Sequence, residues 1–139
     1  MTGVQTCLFR SNLLLNASDA MSGVDDRPRQ LVIRVEQEEG DRVRLSVQDA
    51  GVGFEPQAEN RLFDAFYTTK SGGMGIGLSV SRSIIESHHG RLWATLNEGP
   101  GATFSFSIPQ RSASPKYAGN RSTAWAPGAK DTQHVMRNL

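Results

Sequence analysis

Three short stretches of this chain alternate apolar and polar residues, and with a fourth, RLWATL, they come in two pairs. LVIRVEQ (31–37) and RVRLSVQD (42–49) flank EEGD, while RLWATL (91–96) and TFSFSIP (103–109) flank NEGPGA. A period of two puts every second side chain on one face of a strand, and a polar, glycine-bearing break reverses the chain, so each pair is expected to form an antiparallel hairpin. A lone hairpin is at best marginally stable in water and needs a covering layer. NLLLNASDAM (12–21) supplies one cover, since Leu13, Leu14, Ala17, Ala20 and Met21 fall on one arc at about 100° per residue. A second helical pattern begins at Leu78, with Ser81, Ile84, Ile85 and His88 on one side and Gly90 as its stop. The expected fold class is α/β (α+β), a two-layer sandwich of one sheet covered by helices on one face. By strand spacing, Trp93, Phe104 and Phe106 are assigned to its core.

One such sandwich uses up the chain: 139 residues at 37% hydrophobic hold material for a single core. Residues 110–139, rich in Ser, Ala, Gly and Pro and without apolar periodicity, read as a disordered tail, and MTGVQTCLFRS (1–11) carries no pattern of its own. The tail takes five of the fifteen Lys/Arg and one of the fourteen acids, so residues 1–109 are mildly acidic. A nucleic-acid partner is therefore not expected, because phosphate binding concentrates cations on the domain itself. Cys7 stands alone, which excludes an intramolecular disulfide and suits a reducing, cytoplasmic compartment. The apolar runs are too short to span a bilayer, so no direct membrane contact is expected.

Three features carry chemistry. GGMGIGLS (72–79) places four glycines in six positions ahead of a helix. A dinucleotide fingerprint fails because position 78 is Leu, and a phosphate loop fails because no Lys follows Gly77. Two readings are left: a backbone that offers N–H groups to an anion at a helix N-terminus, or a plain linker. Next, Asp49 shares parity with Val43, Leu45 and Val47, so a regular strand aims its carboxylate at the apolar face, with Gly51 and Gly53 just beyond. A buried acid persists there only with donors around it, and a purine amine suits the place; the alternative is that Asp49 caps the AGVG turn. Finally, Asn12, Asn16 and Asp19 stack at i, i+4 and i+7. Such a stripe is either a solvated face or a set of amide oxygens able to share Mg²⁺ with phosphate.

In order, NLLLNASDA (12–20), DAGVGF (49–54), RLFDAFYTTK (61–70), GGMGIGLS (72–79) and GPGATF (99–104) resemble the N box, first glycine box, F box, second glycine box and final glycine turn of the GHKL ATP-binding superfamily. FYTTK followed by a G-x-G-x-G-L-S lid is typical of two-component sensor histidine kinases. The five motifs span residues 12–109. The resemblance implies a mixed sheet of the Bergerat type, with Mg-ATP between helices and lid. It also implies that Asn16 holds Mg²⁺ with Asn12 assisting, Asp19 lines the pocket, Asp49 accepts from the adenine amine, and Gly51 and Gly53 admit the ring. Lys70 meets the terminal phosphate, Gly73, Gly75 and Gly77 form the lid hinge leading into Leu78, and Thr103 serves adenine in place of a hydroxyl missing at Ala102.

What the resemblance implies further is a protein-histidine kinase of which only the ATP-binding half is present. The phosphoacceptor histidine domain is the expected partner, a response regulator an indirect one, and the full-length protein a homodimer. His88, His89 and His134 lack a phosphoacceptor context. Two alternatives stand beside the kinase. A GHKL-type ATPase would need a glutamate one turn before Asn16, where this chain has Asn12. The other is a truncated module that keeps the pocket only for interaction.

Overall fold

The computed structural model describes residues 3–67, 77–110 and 132–137, with side chains for 10–67 and 77–110. The elements are α1 (Gly3–Met21), β1 (Gln30–Glu38), β2 (Arg42–Asp49), a 3₁₀ turn (Pro56–Arg61), α2 (Gly77–Ser87), β3 (Arg91–Leu96), β4 (Ala102–Pro109) and β5 (Thr132–Arg137). Both expected hairpins are present, with β1 against β2 and β3 against β4. The expected helix at 12–21 is longer than its apolar pattern. Gly3 and Gly23 bracket a stretch free of Gly and Pro, so nothing interrupts the helix backwards through the segment read as unpatterned. A 3₁₀ turn lies at Pro56–Arg61, just before RLFDAF, where proline occupies the first turn.

The strand order is β3-β4-β2-β1-β5, and every recorded pairing is antiparallel. The sheet is therefore not mixed, and the reason lies in β4. The segment from β2 through α2 returns the chain to run β3 alongside β2 in the same direction, but β4 inserts between them and pairs with both. A second departure concerns the tail. Residues 132–137 run along β1, from Gln30 opposite Arg137 to Val35 opposite Thr132, where disorder was expected. Pairing of this kind satisfies the backbone groups of a sheet edge and needs no apolar periodicity to drive it.

Register sorts the side chains by face. Leu31 lies opposite Asp49, Ile33 opposite Val47, Val35 opposite Leu45, and Leu45 in turn opposite Phe106, which faces Leu92. Both helices cover this face. Leu13 and Ile85 close over Leu92 and Phe106, while Ala17 and Met21 close over Leu31 and Val47. Leu14 is 40% exposed, although its angle put it on the apolar arc, because the seam that meets the sheet is only as wide as the i, i+4, i+8 row of Leu13, Ala17 and Met21. The opposite face is a polar ladder. The Ser46 and Ser105 hydroxyls bond across strands at 2.9 Å, and Arg44 bridges Glu36 at 2.6 Å and Glu38 at 3.5 Å. Trp93 belongs to this outer face and not to the core, since Leu92 and Ala94 hold the inward positions of β3; its ring lies beneath the Arg91 guanidinium, 5.2 Å from the centroid.

The stop of α2 is also shared differently from the expectation. His89 takes the left-handed conformation at φ 59°, and the Gly90 N–H donates to the Ile85 carbonyl at 2.9 Å. Gly90 is required for space: a Cβ there would come within 2.6 Å of Ile85 Cγ2 and 2.8 Å of Ile108 Cγ2.

Candidate functional site

Strand parity places the Asp49 carboxylate on the helix-covered face, at the last position of β2, and the residue is 3% exposed. The alternative in which Asp49 leaves the strand to cap a turn does not describe the structure, although the carboxylate does accept from the turn. Oδ1 accepts the Gly51 N–H at 2.9 Å and the Ala102 N–H at 3.3 Å. No hydrogen bond among the described residues reaches Oδ2. Burial pushes the Asp49 pKa above its ordinary 3.8, and the two backbone N–H groups pull part of the way back. In the window between 3.8 and the raised value the folded chain binds a proton that the unfolded chain releases. Stability conferred at this site therefore falls as pH rises through the window and is constant above it. Urea unfolding of the wild type and of Asp49→Asn across acidic pH should show the difference between the two shrinking or growing only inside that window, with the wild type losing ground as pH rises.

Two turns meet at this acid. On one side, Gly51 packs against α1 so closely that a Cβ would lie 2.5 Å from the Ala20 carbonyl oxygen, and the Val52 N–H donates to that oxygen at 3.1 Å. Gly53 turns at φ 69° beside Leu96 and Gly101. On the other side, the β3–β4 turn is stapled to the end of β2 by Asn97, whose Nδ2 donates to the carbonyls of Asp49 and Pro100, each at 2.9 Å. Gly101, at φ 91°, lets its backbone lie against Asp49. Below them, Phe54 and Phe63 meet the Phe104 ring edge-on at 6.5 and 6.4 Å, which ties the loop after β2 to the core.

The amide stripe of α1 runs along the same side of the molecule. Asn12 reaches the start of α2, where its Nδ2 donates to the Gly77 carbonyl at 3.2 Å and to Ser81 Oγ at 3.3 Å. Asn16 is half-buried one turn on, and Asp19 is exposed near the Ala20–Gly51 contact. Hence Asn12, Asn16 and Asp19 lead from the N-terminus of α2 to the glycine turn after Asp49. Leu78 packs against the Leu13, Ile85, Leu92 and Phe106 cluster, which makes it a core residue in its described contacts. Thr103 departs from its expected place. It lies opposite Gln48 on the outer face, and its hydroxyl donates to Asn97 Oδ1 at 2.7 Å, because the inward positions of β4 go to Ala102 and Phe104. Lys70, Gly73 and Gly75 fall outside the described residues. Among the described residues no group of His, Cys, Asp and Glu could hold a metal, and no helix is long and apolar enough to cross a membrane.

A sequence profile of the histidine kinase-, DNA gyrase B- and HSP90-like ATPase family matches residues 8–112. The chain belongs to that family. Sensor histidine kinases are among its evident relatives. The sensor protein FixL of Bradyrhizobium diazoefficiens is 46% identical over 98 residues, covering 70% of this chain and 19% of FixL. The nucleotide-free catalytic domain of the histidine kinase ThkA superposes with a TM-score of 0.64 at 32% identity, covering 77% of this chain and 67% of that one. Full-length ShkA in complex with AMPPNP gives 0.66 at 28% identity, covering 80% of this chain and 23% of ShkA. This chain thus spans between a tenth and a fifth of the length of the curated sensor proteins it matches.

Arg27 and Asn97 also hold this site together, and sequence reasoning missed both. Both act on backbone carbonyls, Arg27 donating from Nε to Ala50 at 2.9 Å and from Nη2 to Gly51 at 2.8 Å. Carbonyl partners leave no pattern in side-chain type, so spacing offered no signal for either.

Proposed function

We propose that this domain binds Mg-ATP and presents its γ-phosphoryl group to a histidine on a separate dimerisation and phosphoacceptor domain, as the ATP-binding half of a two-component sensor kinase. The observation that carries the reading is Asp49: an acid buried on the apolar face, its Oδ1 caged by two backbone N–H groups, with the Gly101 backbone packed against it. A carboxylate so held is an oriented acceptor for a flat ring bearing an exocyclic amine. Membership of the family and the AMPPNP complex of ShkA support a nucleotide as the ligand.

In this reading Asp49 orients the base and Asp19 lines the pocket, while Gly51 and Gly53, expected to admit the ring, instead let the turn pack against α1 and against Leu96 and Gly101. The stripe toward the start of α2 directs the phosphates to Asn16 and Asn12. Bound Mg²⁺ would screen the charge of the phosphates, and Asn16 offers it a hard amide oxygen, the remaining positions falling to phosphate and water. Lys70 and the lid glycines Gly73, Gly75 and Gly77 complete the phosphate end. The domain's own contribution to phosphoryl transfer is position and charge, with the acceptor brought by another domain of a homodimeric protein and the phosphoryl group passed on to a response regulator. A cytoplasmic site of action fits a nucleotide substrate.

The ATPase alternative suffers from Asn12, which donates to Gly77 and Ser81 at the position where a water-activating carboxylate is required. Titration of a fluorescent ATP analogue with and without Mg²⁺ is expected to saturate, more tightly with the ion. Addition of a cognate helical hairpin and labelled ATP should then give an acid-labile phosphohistidine on the hairpin. Hydrolysis without phosphoprotein would select the ATPase, and absence of saturable binding by folded protein would leave only an interaction module.

A further inference from the structure

The turn after β2 consists of two successive peptide planes, and each is held at both ends. The first is the Ala50–Gly51 peptide: its carbonyl accepts from Arg27 Nε at 2.9 Å, and its N–H donates to Asp49 Oδ1, also at 2.9 Å. The second is the Gly51–Val52 peptide: its carbonyl accepts from Arg27 Nη2 at 2.8 Å, and its N–H donates to the Ala20 carbonyl at 3.1 Å. A peptide unit is rigid and planar, so fixing the oxygen fixes the direction of the N–H on the opposite edge. One guanidinium fork therefore sets the angle at which the Gly51 N–H meets the Asp49 carboxylate.

We propose that Arg27 is a positioning residue for adenine recognition, holding the Asp49 carboxylate at the angle its purine partner requires through the Ala50–Gly51 peptide. The inference rests on the nucleotide reading above. Arg27 touches no substrate atom in this scheme; it acts through a peptide plane. The fork matters because the two carbonyls are met by different nitrogens of one planar group, which an ammonium cannot reproduce. The positive charge at the carbonyl end also polarises the peptide and strengthens the N–H bond to the acid. Without the clamp, the Ala50–Gly51 peptide keeps only its N–H bond to the acid, and glycine at 51 widens the range of angles open to it. The ion pair of Arg27 with Asp26, at 3.2 Å, uses a different nitrogen, Nη1, and leaves the clamp intact.

The test compares affinities for ATP and for ITP, in which an oxo group replaces the purine amine, in the wild type, Arg27→Ala, Arg27→Lys and Asp49→Ala. A loosened carboxylate loses discrimination before it loses phosphate binding. Arg27→Ala is expected to weaken ATP about tenfold, the size of one charge-assisted bond poorly made, while ITP affinity changes by less than about twofold. Arg27→Lys, which keeps the charge and the stem, should restore less than half of the lost ratio. Should the alanine variant not fold, the lysine variant carries the test, since its ratio must still fall. An unchanged ATP to ITP ratio in the Arg27 variants, or an equal loss for both nucleotides, would overturn the inference when Asp49→Ala has lost discrimination. If Asp49→Ala itself keeps the ratio, the nucleotide reading fails first.

Discussion

Asp49→Ala should lower ATP affinity by about 10- to 150-fold, corresponding to the loss of one charge-assisted hydrogen bond of about 1.5–3 kcal/mol. The effect should be concentrated on the base, so affinity for inorganic triphosphate should hardly move. A second consequence must be measured beside it. The N–H groups of Gly51 and Ala102 both point at Oδ1, and truncation leaves them without an acceptor, at a cost of about 1–3 kcal/mol each if water does not replace the oxygen. Asp49→Asn separates the two effects, because the amide oxygen still serves the backbone donors while the charge is gone; a loss of about tenfold is expected there. Circular dichroism establishes that each variant is folded, and calorimetric titration reads the affinity. Unaltered ATP affinity in folded Asp49→Ala protein would remove the basis of the nucleotide assignment.

The largest stability effect is expected at Gly101. Its φ of 91° is a conformation that side chains other than glycine rarely adopt, and a Cβ would collide with the Asp49 carbonyl oxygen while approaching Oδ1 to 2.7 Å. Backbone strain of about 1–3 kcal/mol adds to a contact that only displacement of β2 or of the turn can relieve. Gly101→Ala should therefore cost roughly 3–5 kcal/mol, a large share of the about 5–15 kcal/mol that holds a domain of this size together. Gly99, two residues earlier in the same turn, has nothing within 4 Å of its would-be Cβ. Gly99→Ala should stay within about 1 kcal/mol of the wild type. Urea midpoints for the two variants decide the matter: equal midpoints would mean that the β3–β4 turn is not pressed against Asp49 as described.

Much of this arrangement is legible in the amino-acid sequence. The pattern located β2 and β3 to the residue and β1 and β4 to within one residue of either end, and strand parity turned Asp49 toward the helices, in keeping with the register of Leu31, Val47 and Phe106. Periodicity was less informative where both faces of a strand carry bulk. Trp93 and Leu92 are adjacent, both apolar, and nothing in RLWATL says which points inward; pairing with Phe106 settles it in favour of Leu92. Thr103 illustrates a related limit, since a motif position gives a residue's place along the chain and not the face it occupies. The 3₁₀ turn and β5 lay beyond reach because short elements and edge pairings depend on neighbours distant in the chain. Arg27 and Asn97 escaped because a carbonyl group can belong to any residue.

The pocket is assembled from parts of the chain made far apart in time. Asp49 is present once β2 has been synthesised, yet the Ala102 N–H and the Asn97 amide that fix it belong to a hairpin some fifty residues later, and β4 must slot between β2 and β3 before either contact exists. Closing so long a loop carries an entropic cost that only the finished sheet repays. On the nucleotide reading, a nascent polypeptide is therefore expected to capture ligand only once β4 docks, and nucleotide present during synthesis is expected to favour the completed topology over shorter precursors.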